Sequence, residues 1–238
     1  MRNPVKAHAK INYTLEVLGT RPDGYHDLRS VVVPIPLHDD VEMAEADELS
    51  VSMPGFDLPQ EKNLAWRAAR ALQRATGCTR GASISIAKRI PAGAGLGGGS
   101  ADAAAVLNGL NSLWGLNLPI ARLCEIGAEV GSDVPALVLG GIVLMEGRGE
   151  CVRRLDGFKL PPFDGFVLRV PPVHASTPAV YAEFREEDCG KGPNDLQPAA
   201  CRLYPAIAET VAQMEADGLA DVRMSGSGSA VFGWKVLD

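Results

Sequence analysis

The stretch RIPAGAGLGGGSADAAAVL, residues 89–107, decides how the chain is organised. Five of the seven residues from 93 to 99 are glycine, and an alanine-rich run follows at once. Alternating isoleucines predict a strand at 83–90 before the loop, and residues 101–114 are typical of a helix after it. Backbone N–H groups without Cβ atoms in the way, next to the positive end of a helix, form a cradle for phosphate. A tight strand-to-helix turn needs only one or two glycines, so this composition favours ligand binding.

Three other phosphate-binding patterns fit the loop less well. Gly93, Gly95 and Gly98 match the dinucleotide fingerprint G-x-G-x-x-G, but that fold needs an acidic residue about 20 residues on, where this chain enters another helix. A Walker A loop closes on Gly-Lys-Ser/Thr, whereas residues 98–100 read Gly-Gly-Ser. The His-Arg-Asp and Asp-Phe-Gly triplets of protein kinases do not occur. All three alternatives are therefore disfavoured.

The composition is that of an ordinary globular protein of one large domain or two small ones, with 46% hydrophobic and 22% charged residues among 238. The formal net charge of −6 disfavours a nucleic-acid partner, so an anionic ligand is expected to be held locally. The start of the chain lacks the apolar core of a secretory signal, and the most apolar later stretch, 134–145, is too short to span a membrane. Five scattered cysteines without a Cys-x-x-Cys pair favour neither disulfides nor a zinc site. We therefore expect a cytoplasmic protein with no membrane partner and no resident metal ligands.

Residues 5–17 alternate strictly between apolar and polar side chains. From Val5 to Val17 every odd position is apolar or aromatic, which predicts a half-buried strand. His8, Lys10 and Asn12 then point to the same polar side of the sheet. Taken alone, this stretch favours a solvated face.

The rest of the chain predicts a β-rich part, then clustered helices, then a small α+β unit. Short strands are expected at 30–37, 41–46, 48–53 and 166–170, and strand segments flank SGSGSAVFG within 222–234. Helices are expected at 64–76 with Asn63 as its cap, at about 118–130 with Asn117 as its cap, from Ser132-Asp133-Val134-Pro135 onward, and around 198–217. Proline and glycine cluster at 155–165, which marks a candidate domain boundary.

Pro91-x-Gly93-x-Gly95-Leu96-Gly97-Gly98-Gly99-Ser100 resembles the ATP-binding loop of the GHMP small-molecule kinases. Three further stretches are similar to motifs of one family in that superfamily, the 4-diphosphocytidyl-2-C-methyl-D-erythritol kinases: AKINYTLEVLGTRPDGYHDLRS (9–30), GSDVP (131–135) and MSGSGSAVFG (224–233). The resemblance runs over most of the chain, and its first motif is long and specific. It implies an α+β, two-layer GHMP kinase fold. An N-terminal domain like ribosomal protein S5 would span 1–157, and a ferredoxin-like C-terminal domain, shortened at its end, would span 158–238.

The resemblance also implies transfer of the γ-phosphoryl group of ATP, with Mg²⁺, to the 2-hydroxyl of a cytidine diphosphate methylerythritol in the non-mevalonate isoprenoid precursor pathway. Lys10 and Asp133 match the family's catalytic residues. Asn12, Tyr25 and His26 match its substrate-binding residues, and Tyr181 is expected to form a second wall of the cytosine slot. The nucleotide-binding positions implied are Pro91, Ala92, Gly93, Ala94, Gly95, Leu96, Gly97, Gly98, Gly99, Ser100 and Ala101.

Several of these residues also have a purely structural interpretation. Asp133 could cap a helix N-terminus, and Lys10 could be a surface lysine. Ser100 could reach a phosphate or Mg²⁺, or could be an ordinary N-cap. The second glycine cluster, 225–229, could approach the substrate through its N–H groups or could be a tight connection between strands.

The chain departs from the family pattern in two positions and two lengths. His8 stands where proline is usual, and Ala101 replaces a second serine. The segment between Tyr181 and Asn194 is short, and the chain ends where a further helix and strand would normally follow. That ending predicts an unpaired sheet edge with Val231 and Phe232 uncovered, hence reduced stability or self-association. We expect a monomer or a weak homodimer.

Two other functions remain open from the sequence. The chain could be another GHMP kinase, acting on mevalonate, homoserine or a sugar, although Asp23-Gly24-Tyr25-His26 argues against this because those substrates have no use for a cytosine slot. It could also be a non-catalytic nucleotide-binding paralogue. ADP release from each candidate alcohol distinguishes these possibilities.

Overall fold

The computed structural model describes residues 4–22, 24–160 and 164–236. The strands lie in two sheets. The first contains β1 (Val5–Thr20), β2 (His26–Ala46), β3 (Leu49–Ser52), β4 (Gly81–Ala87), β5 (Val143–Gly147) and β6 (Cys151–Arg154). The second contains β7 (Asp164–Arg169), β8 (Leu219–Met224) and β9 (Val231–Lys235). The α+β expectation is met.

Strand β2 is the central strand of the first sheet and pairs with β1, β4 and β5. The order of the sheet is β3-β4-β2-β5-β6, and β1 pairs with β2 outside this order. Every pair except β3 with β4 is antiparallel. The prediction of two separate strands at 30–37 and 41–46 is wrong, because β2 continues through Pro34 and Pro36. On the edge of β2 that faces β4 and β5, residues 28–32 pair with β5 and residues 40–46 pair with β4. Pro34 and Pro36 lie between these two stretches, so their missing N–H groups break no ladder hydrogen bond on that edge.

Four helices pack around the first sheet: α1 (Leu64–Thr76), α2 (Gly98–Leu113), α3 (Ile120–Val130) and α4 (Val134–Leu139). Helix α1 has the predicted bounds, and the Asn63 side chain accepts a hydrogen bond from the Ala65 N–H as the predicted cap. The cap predicted for α3 is wrong. Pro119 occupies the N-cap, while Asn117 adopts a φ of 53° and its amide donates to the Gly115 carbonyl.

Three helices accompany the second sheet: α5 (Thr177–Glu183), α6 (Gln197–Leu203) and α7 (Pro205–Ala216). The single long helix predicted around 198–217 is in fact two helices. Pro205 starts α7 and Tyr204 stands between them with an extended φ of −131°, since a residue before proline is pushed out of the helical region. The short segment after Tyr181 returns to the first sheet, where Leu15 N donates to the Pro193 carbonyl and Asp195 N donates to the Leu15 carbonyl.

The expected bare edge at the end of the chain is also wrong. Strand β9 is the central strand of the second sheet, paired with β7 on one side and β8 on the other. Val231 and Phe232 are both fully buried, and the Phe232 ring lies edge-on against Trp234 with centroids 5.3 Å apart. These side chains are core residues and offer no apolar surface for self-association.

We expect Phe232→Ala to lower the free energy of unfolding by about 3–5 kcal/mol, because the substitution removes a buried aromatic ring and leaves a cavity. Val236, at 59% exposure, supplies the control, and Val236→Ala should stay within about 0.5 kcal/mol of the parent. Urea denaturation followed by circular dichroism measures both. Equal midpoints for the two variants would contradict the burial of Phe232.

The described part of the chain contains no helix long and apolar enough to cross a membrane. All five cysteines lie within it and are free thiols.

Candidate active site

The polar face of β1 is covered, which the sequence alone did not indicate. Lys10 and Asn12 are only 3% and 2% exposed, so the interpretation as a solvated face is wrong for them. His8, on the same face nearer the chain start, is exposed. The covering elements are the glycine-rich loop, whose Leu96 carbonyl accepts from the Lys10 N–H at 3.0 Å, and the turn after β8, whose Ser225 hydroxyl accepts from the Asn12 N–H at 3.1 Å.

Lys10 and Asp133, 123 positions apart in the sequence, form an ion pair. Lys10 Nζ lies 3.2 Å from Asp133 Oδ2 and donates to Asn12 Oδ1 at 2.5 Å. Asp133 occupies the N-cap position of α4, but its side chain makes no capping hydrogen bond. Its carboxylate therefore pairs with Lys10 and lines the cavity, and it does not cap the helix.

Asn12 is held in turn by hydrogen bonds that run through the buried Ser30 hydroxyl to a backbone carbonyl. Its Nδ2 donates to Ser30 Oγ at 2.7 Å, and Ser30 Oγ donates to the Thr14 carbonyl at 2.6 Å. These bonds fix which end of the Asn12 amide faces Lys10. The ammonium is thus aimed by a preorganised partner as well as by Asp133.

The glycine-rich loop runs between β4 and α2 and is wedged between the two halves of the chain. Ala230 N donates to the Ala94 carbonyl and Ser225 Oγ donates to the Gly95 carbonyl, both at 3.0 Å. Gly95 has a φ of 73°, and a Cβ there would collide with the Ser225 carbonyl oxygen and approach that of Gly228 to 3.0 Å. Only glycine fits this position.

The remaining loop positions divide into buried anchors and exposed backbone. The side chains of Ala94, Leu96 and Ala101 are buried in the core. The residues that present main chain nearer the surface are Pro91, Ala92, Gly93, Gly97, Gly98, Gly99 and Ser100. Gly97 precedes α2 with a φ of 67°, and a Cβ on it would approach the Lys10 side chain to 3.0 Å. The N–H groups at the start of α2 therefore open beside the Lys10–Asp133 pair.

A cavity of about 700 Å³ joins these elements. Its lining includes Lys10, Asn12, Gly95, Ser100 and Asp133. Tyr25, His26, Tyr181 and Arg148 line the same cavity. All six predicted catalytic and substrate positions thus reach one cavity: Lys10, Asn12, Tyr25, His26, Asp133 and Tyr181. Asp23, which precedes Gly24 and Tyr25 in the same motif, lies outside the described residues.

Aromatic rings form part of the cavity wall. The His26 and Tyr181 rings stack with centroids 5.0 Å apart, and Phe184 meets His26 edge-on. Burial, and secondarily the charge of Asp133, raises the pKa of the Tyr181 hydroxyl above its usual range, so that group stays protonated. Tyr25 is 56% exposed, and the Arg148 guanidinium carbon lies 4.5 Å from its ring centroid.

Sequence reasoning missed Arg148, Ser132 and Thr177 among the cavity residues. Arg148 stands between Gly147 and Gly149 in the β5–β6 turn, and this G-x-G turn was the available signal. A Cβ on Gly149 would collide with the Ser132 carbonyl, so the turn packs directly on the residue before Asp133. Thr177 Oγ1 lies 2.7 Å from Ser227 Oγ, which ties α5 to the second glycine cluster. That cluster lines the cavity through Gly226 and Ser227 and also connects β8 to β9.

Two family models match the chain. The GHMP kinases N terminal domain matches residues 63–141, and the GHMP kinases C terminal model matches residues 178–235. Among curated proteins, 4-diphosphocytidyl-2-C-methyl-D-erythritol kinase of Geobacter sp. (strain M21) is 42% identical, over 95% of this chain and 87% of that protein. These matches confirm the GHMP kinase fold expected from the sequence.

Solved structures give the same picture. A crystal structure of 4-(cytidine 5'-diphospho)-2C-methyl-D-erythritol kinase superposes with a TM-score of 0.82 at 35% identity, covering 97% of this chain and 89% of the other. A mevalonate kinase structure superposes with a TM-score of 0.69 at 14% identity, covering 97% and 90%, and so shares the fold alone.

Proposed function

The chain belongs to the GHMP kinases and, within them, to the 4-diphosphocytidyl-2-C-methyl-D-erythritol kinases, and we propose that Lys10 and Asp133 carry out its phosphoryl transfer from ATP to the 2-hydroxyl of that alcohol. The observation that carries the proposal is the Lys10–Asp133 contact beside the glycine-rich loop, in the cavity that also holds Tyr25 and His26. An enzyme that transfers a phosphoryl group from a nucleotide to an alcohol needs its nucleotide-binding residues and its alcohol-binding residues to lie in one cavity.

The proton of the attacking hydroxyl goes to Asp133. As the hydroxyl oxygen bonds to the γ-phosphorus, the bond from that phosphorus to the bridging oxygen breaks and ADP leaves. Asp133 Oδ takes the hydroxyl proton, within reach of an alcohol bound between the carboxylate and the loop. Lys10, held by Asn12 and Asp133, places its ammonium against the negative charge of the transferred group.

The nucleotide phosphates bind to the amides at the start of α2. The cradle fits this ligand because a Cβ at Gly97 would enter the space next to Lys10, and a Cβ at Gly95 would close the loop against the turn after β8. In a protein with a net charge of −6, oriented N–H groups provide the local attraction that the overall charge does not. The adenine nucleotide is thereby held with its terminal phosphate towards Lys10.

Mg²⁺ accompanies the nucleotide, and the oxygen donors lining the cavity suit it. Ser100 is the residue that would hold it, with the phosphates supplying further oxygens. Among the described residues no group of three or more His, Cys, Asp or Glu side chains could hold a metal ion. The ion neutralises phosphate charge when bound.

The cytidine end of the alcohol lies against the aromatic wall. Tyr25 offers a broad exposed ring for stacking on cytosine, His26 offers a ring nitrogen to the base edge, and Tyr181 backs His26. Asn12, buried beside Lys10, lies at the reacting end of the substrate. The proposal thus puts the reacting hydroxyl beside Asn12 and the cytosine beside Tyr25 and His26.

Tyr25→Ala should raise the KM for the cytidylylated alcohol by about 5- to 150-fold, because stacking of one base on an aromatic ring contributes about 1–3 kcal/mol. The KM for ATP should stay within about twofold, since Tyr25 lies outside the glycine-rich loop that would hold the nucleotide. Phe56→Ala, an equally exposed aromatic outside the cavity, is the control. An unchanged KM for the alcohol in Tyr25→Ala would remove Tyr25 from the cytosine slot.

Release of ADP from ATP and Mg²⁺ with each alcohol tests the function. We expect turnover with 4-diphosphocytidyl-2-C-methyl-D-erythritol and none with mevalonate, homoserine or a sugar. Turnover with one of the latter would instead favour another GHMP kinase. A folded protein that binds ATP and turns over no alcohol would favour a non-catalytic paralogue.

Three further proposals concern organisation and setting. The division into an N-terminal domain at 1–157 and a C-terminal domain at 158–238 is supported by the strand content, because the first sheet ends at Arg154 and the second begins at Asp164. We also propose a cytoplasmic enzyme without nucleic-acid or membrane partners. A monomer is favoured over a weak homodimer because Val231 and Phe232 are buried.

A further inference from the structure

The helix that brings Tyr181 to the cavity is short and shallowly packed. Helix α5 has seven residues, and Val180 is the only one of them that is buried. A helix of this length is marginal without tertiary contacts. Its start is tied to the second glycine cluster, because Thr177 Oγ1 lies 2.7 Å from Ser227 Oγ. The position of the Tyr181 ring therefore depends on what holds the other end of the helix.

A single guanidinium holds that end of α5. Arg202 of α6 donates from Nε to Glu183 Oε1 at 2.7 Å and from Nη2 to the Glu183 carbonyl at 2.9 Å. The same side chain donates from Nη1 and Nη2 to the two carboxylate oxygens of Asp188, at 2.9 and 2.7 Å. These four hydrogen bonds from one planar group fix both the last residue of α5 and the turn that follows it. Glu183, Asp188 and Arg202 are together called the Arg202 network.

The Arg202 network differs from an exposed surface ion pair. Asp188 is 2% exposed, and its carboxylate also accepts from the Arg185 N–H at 3.0 Å. Hydrogen bonds from Arg202 are the largest influence on the Glu183 and Asp188 carboxyls and hold the pKa of each below its usual range, so both are ionised at neutral pH. A bidentate pair with a buried carboxylate fixes a geometry that an exposed pair leaves loose.

Arg202 itself stands on an anchored part of the chain. Asp195, two residues before α6 begins, is 4% exposed. Its carboxylate accepts hydrogen bonds from the Val17 N–H of β1 and from the Gly190 N–H, both at 2.8 Å. The start of α6 is thereby fixed to the strand that carries Lys10. Arg202 extends this connection to the end of α5.

We propose that Arg202 is a positioning residue for the cytosine slot, which holds the end of α5 so that Tyr181 is stacked on His26 before the substrate binds. This inference rests on the proposed function of the cavity. The Tyr181 and His26 rings lie 5.0 Å apart, and Phe184, the residue after Glu183, meets His26 edge-on. Arg202 does not line the cavity, so its effect on the substrate passes through α5 and the turn after it. Without Arg202, binding of the base must order rings that the parent holds ready, and this ordering weakens binding.

A double variant removes the guanidinium without leaving a buried carboxylate unpaired. In Arg202→Met with Asp188→Asn, the amide oxygen at position 188 can still accept from the Arg185 N–H, and Glu183 keeps its contact with the Arg185 side chain. We expect the KM for the cytidylylated alcohol to rise about tenfold, with kcat and the KM for ATP within about twofold of the parent. Steady-state kinetics on protein shown to be folded by circular dichroism measures all three.

A cycle with Tyr181 separates positioning from a general loss of stability. Because Arg202 acts through that ring, the double substitution should raise the KM by less than about twofold in a Tyr181→Ala background. Arg202→Lys keeps a charge beside Asp188 but cannot donate four bonds in one plane, so its KM should lie between those of the parent and the double variant. The control is Arg169→Met, which breaks an ion pair of similar exposure with Asp217, neither residue lining the cavity; its KM should stay within about twofold.

The possible outcomes distinguish this inference from the function it rests on. Absence of turnover of the cytidylylated alcohol by the parent would overturn the proposed function, and this inference with it. A parental KM for that alcohol in the folded double variant or in Arg202→Lys would overturn the positioning role alone. An equal rise in KM in the parental and Tyr181→Ala backgrounds would also overturn that role, because Arg202 would then act elsewhere.

Discussion

Lys10→Ala and Asp133→Ala are each expected to lower kcat by about a thousandfold or more, since a preorganised charge facing the transferred phosphoryl group contributes factors of that size. Lys10 Nζ has two fixed partners, Asn12 and Asp133, and so is aimed before substrate arrives. Loss of the lysine removes the charge that faces the phosphoryl group. Loss of the aspartate removes the proton acceptor.

The two variants should fold, although with reduced stability. Asp133 is about one-third exposed, so water reaches the carboxylate left by Lys10→Ala. Asp133→Asn retains the shape of the side chain and leaves Lys10 bonded to Asn12, which separates chemistry from packing. Steady-state kinetics with matched thermal melts measures both effects.

Lys6→Ala is the matched control, because Lys6 lies on the same face of the same strand as Lys10 but outside the catalytic cavity. Its kcat should equal that of the parent. Near-parental turnover in a folded Lys10→Ala or Asp133→Ala protein would remove that residue from the catalytic pair.

Gly95→Ala is expected to weaken ATP binding by more than about a hundredfold. The new Cβ meets the Ser225 carbonyl, so either the loop or the turn after β8 must shift. Since Ser225 Oγ also accepts from the Asn12 N–H, that shift spreads to the strand carrying Lys10. Displacement of about 1 Å at a positioned site costs about this factor.

The strain of a left-handed backbone must be separated from this collision. Gly115 has a φ of 65°, close to the 73° of Gly95, but a Cβ there would meet nothing within 4 Å. Gly115→Ala should therefore cost about 1–2 kcal/mol of stability for its backbone alone and leave ATP binding intact. Equal ATP affinities for the two alanine variants would contradict the close approach of Gly95 to the turn.

Local patterns in the sequence were sufficient where short-range forces decide the structure. The helix at 64–76 follows from its Asn63 cap and its apolar spacing, and the loop before α2 follows from its glycines. The predictions that were wrong concern strands whose structure depends on pairing with distant parts of the chain. Strand β2 persists through Pro34 and Pro36 because β1, β4 and β5 pair around those positions, and Val231 and Phe232 are buried because β7 and β8 flank β9.

The candidate site shows the same division. Strand alternation placed Lys10 and Asn12 on one face but could not reveal that the loop and the Ser225 turn cover that face. Nothing in sequence spacing brings Asp133 to Lys10, since the contact depends on how α4 packs on the sheet; only the family resemblance indicated it. The contacts of Lys88 with Asp39 and Asp102 were missed because these residues come from the segment after β4, from β2 and from α2, and none of them stands out in its own segment.

The destination of the γ-phosphoryl group tests the central claim most directly. ATP labelled at the γ-phosphorus is incubated with the enzyme, Mg²⁺ and 4-diphosphocytidyl-2-C-methyl-D-erythritol, and the products are separated. The account predicts that the label appears in a new phosphomonoester on the 2-hydroxyl of the alcohol, with one ADP for each ester formed. Label found only in inorganic phosphate, or retained in ATP that is demonstrably bound, would contradict it.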